Sequence, residues 1–278
     1  MKKVSAAFDG LKFSEGTLQH AIELAKQSKS LLSGVFLDDF TYHSYKLFDM
    51  VGSQGVSKDK MKHLLTADKQ TRQKATDHYE NECKKAQINY VIHHDKNIAI
   101  HELIKESIYS DIVLISADET LSHFEEEPPT GFVKDFLMHV ECPVMIIPRT
   151  YHKIEKVVLL YDGSIASVFA IKMFNYMMPW MQNLGTEVVT VLDPEKEKHI
   201  PQANLIKEFV DCHYPKAIYT VLKGDEKKEI PAYLKKITNN TLVVLGAYQR
   251  GAISMYFKAS MADLLMEELD IPLFIAHK

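Results

Sequence analysis

The second half of this chain repeats its first, and that repetition limits the available folds more than any other feature. Phe8-Asp9-Gly10 returns as Tyr161-Asp162-Gly163. The run Val35 to Asp39 (VFLDD) returns as Thr190 to Pro194 (TVLDP). Cys142 to Ile147 (CPVMII) returns as Ile271 to Ala276 (IPLFIA). The matching segments keep the same order, so a whole domain has been duplicated rather than a short motif. A boundary near residues 150–153 gives domains 1–150 and 151–278, and a chain of 278 residues suits two small domains.

Each copy alternates short apolar runs with helical stripes. The runs 3–8, 31–37, 88–93, 111–116 and 143–147 read as strands in the first copy. Their counterparts are 156–161, 187–192, 217–222, 242–245 and 272–276. Between them lie helical stretches. The first starts at the N-cap candidate Ser14 and carries the stripe Leu18, Ala21, Ile22 and Ala25. Others cover 58–85, 99–107, 132–140, 169–181, 205–210 and 230–237, where Pro231 is expected in a first turn. Residues 40–56 have no period and read as a loop. Strands spaced by helices predict an α/β fold: two tandem open five-stranded parallel sheets, each covered by helices on both faces.

Composition excludes several function classes. A formal net charge of −4 speaks against nucleic-acid binding or a membrane surface as the main partner. No apolar run approaches the roughly 20 residues a membrane helix needs. The opening Met1-Lys2-Lys3 leads into a strand rather than a signal peptide, so a cytoplasmic location is expected. Cys83, Cys142 and Cys212 have no metal-ligand or Cys-x2-Cys spacing and read as reduced thiols. His93-His94-Asp95, with His101, could suggest a metal, but neighbouring strand residues point to opposite faces and do not share one ion. Asp118, His123 and the glutamates after them read as a solvated acidic loop. No nucleophile elbow, phosphate-binding Walker loop, zinc-protease or dinucleotide glycine motif is present, and no metal or catalytic residue is expected.

The chemistry concentrates at residues 242–261. An apolar run ends on Gly246, a loop follows, and Ser260 precedes the stripe Met261, Leu264, Leu265, Leu269. A strand, a glycine turn and a helix start form the place where α/β sheets bind anions on backbone N–H groups. The stretch resembles the nucleotide loop of the universal stress protein family, Gly-x2-Gly-x9-Gly-Ser/Thr. Gly246 is the first glycine and Ser260 the closing hydroxyl, while Gln249 and Ala259 stand where the other two glycines belong. With five strands in each half, the chain is identified as a tandem member of that family, with its adenine nucleotide α-hydrolase-like fold.

The resemblance implies a site in the C-terminal half and a cofactor, ATP or another adenine nucleotide. Asp162 would hold the nucleoside, Val191 would face the base through its backbone ahead of Asp193, and Leu245 would wall the base. Gly246, Gln249, Ala259 and Ser260 would line the phosphates, and Arg250 would pair with one. Each residue also has a plainer reading: Asp162-Gly163 as a turn, Ser260 as a helix cap, Arg250 as a solvated charge, Val191 and Leu245 as core. Side chains at positions 249 and 259 take room that glycine leaves for phosphate oxygens. In the N-terminal half Ser116 replaces the first glycine, Thr130 the third, and Gly131 the hydroxyl. Glu119, Glu125, Glu126 and Glu127 there would repel a triphosphate, which leaves Asp9 a structural relic.

The expected function is that of a non-catalytic, cytoplasmic stress-response sensor or binding protein. A scaffold acting through protein–protein contacts and a sensor of another small metabolite are the alternatives. Slow ATP hydrolysis ranks last, because no residue stands out as a base for water. The expected partners are a small nucleotide, an intramolecular pseudo-dimer of the two halves packed as the family's homodimers are, and a homodimer of whole chains; nucleic acid and membrane are not expected.

Overall fold

The computed structural model describes residues 1–37, 58–95, 98–121, 126–193, 195, 199–237, 240–246 and 260–277. The chain divides into two compact units, Met1–Glu141 and Cys142–Lys278. Residues 40–56 of the expected loop lie outside the described residues, as do Gln249, Arg250 and Ala259.

In the first unit the strands are β1 (Lys3–Asp9), β2 (Leu31–Leu37), β3 (Tyr90–Asp95) and β4 (Ile112–Ser116). They lie in the order β3-β2-β1-β4, all parallel. Among the described residues helices alternate with them: α1 (Glu15–Ser28), α2 (Lys58–Ala86), α3 (Ala99–Ile108) and α4 (Gly131–His139). Helix α1 starts where the sequence places it, with the Ser14 hydroxyl accepting from Thr17 N at 3.2 Å, and it buries Leu18, Ala21, Leu24 and Ala25. Strand β4 is buried along its whole length, and β1 and β2 leave only their first residue partly exposed, as parallel strands covered on both faces require, whereas β3 ends in His93, His94 and Asp95. Helix α2 docks through Tyr79, which is fully buried against Phe8 and Phe36 and donates to Leu32 O at 3.1 Å. Gly34 makes that possible, since a Cβ there would lie 2.6 Å from the tyrosine ring.

The second unit holds β5 (Val144–Ile147), β6 (Lys156–Leu160), β7 (Gly185–Leu192), β8 (Ile218–Lys223), β9 (Thr241–Gly246) and β10 (Leu273–Ala276). Its order is β5-β10-β9-β6-β7-β8. All neighbours are parallel except β5 and β10, which run antiparallel with Met145 opposite Phe274. That pairing is why the fifth strand of the first repeat falls in the second unit and the units part after Glu141. The helices are α5 (Ile165–Met177), α6 (Ala203–His213), α7 (Glu226–Leu234) and α8 (Met261–Glu268). The apolar stretch expected as one helix to Met181 breaks at Pro179 into a short 3₁₀ segment, Pro179–Asn183. Helix α7 begins at Glu226, capped by the Asp225 carboxylate, which accepts from Lys227 N at 2.9 Å. Pro231 therefore sits inside the helix rather than in its first turn.

A buried ion network ties the sheet of this unit to α7. Glu187 on β7 is 1% exposed and accepts from Lys156 Nζ on β6 at 2.6 Å, from Thr220 Oγ1 on β8 and from Tyr233 Oη on α7. Burial alone would push its carboxyl up, and these three donors outweigh it, so the group is held below its ordinary value. Among the described residues no helix is long and apolar enough to cross a membrane.

Candidate functional site

In the second unit β6 pairs with β7 on one side and β9 on the other, so the chain leaves β6 in one direction and returns from the other. Such a switch point opens a crevice beyond the carboxyl ends of the strands. A cleft lies there, with about 560 Å³ of atom-free space including its open mouth. Leu160, Val189, Val191, Leu245, Ile230 and Met261 give it apolar walls, and Tyr161, Asp162, Ser167, Glu226 and Gly246 complete it.

Asp162 follows β6 directly. Its Oδ1 accepts from Ser164 N at 2.9 Å, which closes a turn through Gly163 at φ +81°. That left-handed φ favours glycine, and a Cβ there would also strike Pro201 at 2.4 Å. Ser164 then caps α5, its Oγ accepting from Ser167 N at 3.1 Å. Burial alone would raise the Asp162 carboxyl; hydrogen bonds from Ser164 and Ser167 outweigh it and hold the group below its ordinary value. An ionised carboxylate thus stands at the mouth of the cleft, built into the turn yet exposed.

Gly246, the last residue of β9, is required by packing. A Cβ would lie 2.4 Å from Ala166 O and 2.9 Å from Ser167 N, so the first turn of α5 rests on this strand end. The close backbone approach that glycine permits is made here by the protein's own helix. Ser260 is the N-cap of α8 in a full capping box: its Oγ accepts from Asp263 N at 3.1 Å and its N–H donates to Asp263 Oδ2 at 2.9 Å. Among the described residues no acceptor takes the hydroxyl proton of Ser260.

Of the residues singled out in the sequence, Asp162, Val191, Leu245 and Gly246 meet in this one cleft, and Ser260 immediately precedes its wall residue Met261. Gln249, Arg250 and Ala259 lie outside the described residues. Asp193 is not among the lining residues; its Oδ1 accepts from Glu195 N at 3.0 Å in a turn of its own. Sequence reasoning missed Glu226 and Ile230. The helix was expected to start at Ile230, although Gly224-Asp225 is a legible stop-and-cap signal that moves its start to Glu226.

In the first unit the equivalent strand ends hold acidic side chains. Asp9 and Glu119 are 2% and 5% exposed. Asp9 Oδ1 accepts from Leu11 N at 2.8 Å, while its Oδ2 is buried without a hydrogen-bond partner among the described residues. Glu119 Oε1 accepts from Leu121 N at 3.1 Å. Burial, and then the charge of Asp9, push Glu119 up to about 8, so at neutral pH it is mostly protonated. Arg72 of α2 reaches Leu37 O at 3.2 Å and closes over Gly10, where a Cβ would meet its Cγ at 2.9 Å. The N-terminus of α4, where an anion would dock, has its Gly131 N–H donating to Glu126 Oε2 at 2.8 Å, with Thr130 as N-cap. His93 and His94 diverge as strand geometry requires: His93 Nδ1 meets Glu106 Oε1 at 2.6 Å, while the His94 ring lies 5.7 Å from Phe36. Among the described residues no group of three or more His, Cys, Asp or Glu side chains is placed to hold a metal ion.

No family model matches the sequence, and no curated protein matches it. Solved structures do match the fold. A universal stress protein from Archaeoglobus fulgidus DSM 4304 superposes with a TM-score of 0.70 at 14% identity, covering 99% of this chain and 98% of that one. A putative universal stress protein from Pseudomonas aeruginosa UCBPP-PA14 gives 0.61 at 12% identity, over 100% and 93%. A functionally unknown protein from Pseudomonas aeruginosa PAO1 gives 0.62 at 12%, over 100% and 92%. The fold is that of the universal stress proteins, and the matches run the whole length of the chain, through both units.

Proposed function

We propose that this chain is a cytoplasmic tandem universal stress protein, with domains 1–150 and 151–278, acting as a non-catalytic stress-response sensor that binds an adenine nucleotide in its C-terminal half. One observation carries the reading: Asp162, Val191, Leu245 and Gly246, named from the sequence, converge on one cleft at the switch point of the second sheet. The apolar walls suit a flat base and the Asp162 carboxylate suits ribose hydroxyls. Ser260, with Gln249, Arg250 and Ala259 of the loop before it, would receive the phosphates. The first unit suits the same ligand less, because Arg72 packs over Gly10, Glu119 is buried at the strand ends and Glu126 already accepts from the Gly131 N–H. That observation also favours a second role for the first unit, as a brace or protein-contact scaffold.

The test is mass spectrometry of small molecules released when freshly purified protein is denatured, alongside an Asp162→Ala variant. Adenine nucleotide carried by the wild type and absent from the variant supports the reading. Nucleotide retained equally by both proteins would place it elsewhere.

A further inference from the structure

We propose that Glu226 is a specificity-determining residue of the C-terminal cleft, selecting purines that carry an exocyclic amine; this rests on the nucleotide-binding reading above. The lining side chains have few hydrogen-bond donors to offer. The Tyr161 hydroxyl spends its proton on Pro201 O at 2.8 Å. The Ser167 hydroxyl has one proton, shared between Ser164 O at 3.0 Å and the Asp162 carboxylate. The other two polar side chains on the wall are the carboxylates of Asp162 and Glu226, which only accept. The side chains of the described wall therefore present acceptors and negative charge, with no donor left over. A ligand that settles there must bring its own donors to this region and keep its carbonyl and phosphate oxygens away from it.

An aminopurine nucleoside has donors in two places, the ribose hydroxyls and the amine. Asp162 ends β6 beside Gly163, on the sheet side of the cleft. Glu226 opens α7, the helix that also brings Ile230 to the cleft wall. Two carboxylates on different elements match two sets of donors: Asp162 takes the ribose hydroxyls and Glu226 the amine. Glu226 is exposed at the rim, so it acts on choice among ligands more than on the stability of the fold.

The experiment is calorimetric titration of the full-length protein with adenosine and with purine riboside, which differs only in lacking the amine. It is repeated for Glu226→Ala and Asp162→Ala. The wild type is expected to favour adenosine by about tenfold, Glu226→Ala to bring that ratio close to one, and Asp162→Ala to weaken both ligands while keeping the ratio. Equal affinities in the wild type, or a preference that survives Glu226→Ala, overturn the assignment of Glu226 and leave the binding reading standing. Failure of both nucleosides to bind the wild type at millimolar concentration overturns the binding reading and this inference with it. Circular dichroism of each variant separates loss of binding from loss of fold.

Discussion

Replacing Glu119 with Gln should make the first unit more stable at neutral pH, although it removes a buried ionisable residue. Glu119 keeps its proton in the folded state up to a pH of about 8, chiefly because burial opposes ionisation and then because Asp9 lies near. In the unfolded chain it ionises around its ordinary value of 4.5. The folded pKa is raised, so the stability this group contributes is complete below about 4.5 and is lost as pH rises toward 8. A gap of about 3.5 units corresponds to roughly 5 kcal/mol across that window as a ceiling, and to roughly 3 kcal/mol at pH 7. Asp9 is raised in the same direction and for the same leading reason, burial, so part of the effect belongs to the pair. Gln keeps the shape and an oxygen for the Leu121 N–H, and it does not titrate. Urea unfolding followed by far-ultraviolet circular dichroism between pH 4.5 and 8.5 reads the difference. Trp180 lies in the second unit, so its fluorescence serves as an internal control. The variant should match the wild type near pH 4.5 and exceed it by up to about 3 kcal/mol at pH 7. An unchanged pH slope, or a variant less stable than the wild type at pH 7, would refute the reasoning.

Glu187→Ala should destabilise the second unit by about 3–5 kcal/mol, because it strands Lys156 and leaves Thr220 and Tyr233 without their acceptor; the Trp180 unfolding transition in urea measures it. Since the Glu187 pKa is lowered on folding, its stabilisation is present above the ordinary carboxylate value and is lost as pH falls, so Glu187→Gln should flatten the acid limb of that same transition. Gly246→Ala should cost at least about 2 kcal/mol through the clash with Ala166 O, and a thermal melt no lower than that of the wild type would show that α5 does not rest there. Ser260→Ala should cost about 1 kcal/mol as a lost N-cap. If Ser260 also gives its proton to a phosphate, the same variant should weaken ATP more than adenosine in calorimetry.

The repeat and the strand alternation were readable because parallel strands covered on both faces must be apolar along their length, and short β-branched runs such as Leu242–Leu245 carry that signal. The order of the strands was not readable in the same way. The antiparallel pairing of β5 with β10 depends on a partner more than a hundred residues away, and no local pattern encodes it. In the cleft, Asp162 and Gly246 were legible because turn chemistry and strand ends leave marks in sequence. Glu226 was not, since a solvent-exposed glutamate at a helix start resembles any other and gains meaning only from the strand ends it faces. Gly246 shows a different limit. Its need for a missing side chain was readable, but the cause, the backbone of α5 packed against it, was not.

The measurement that bears most directly on the central claim is calorimetric titration of the full-length protein with ATP, set beside Asp162→Ala. The cleft as described predicts one binding event per chain at micromolar affinity, weakened by about tenfold or more in the variant, with the fold of the variant intact. Absence of heat at millimolar ATP, or binding that Asp162→Ala leaves unchanged, would contradict the assignment of a nucleotide to the C-terminal cleft.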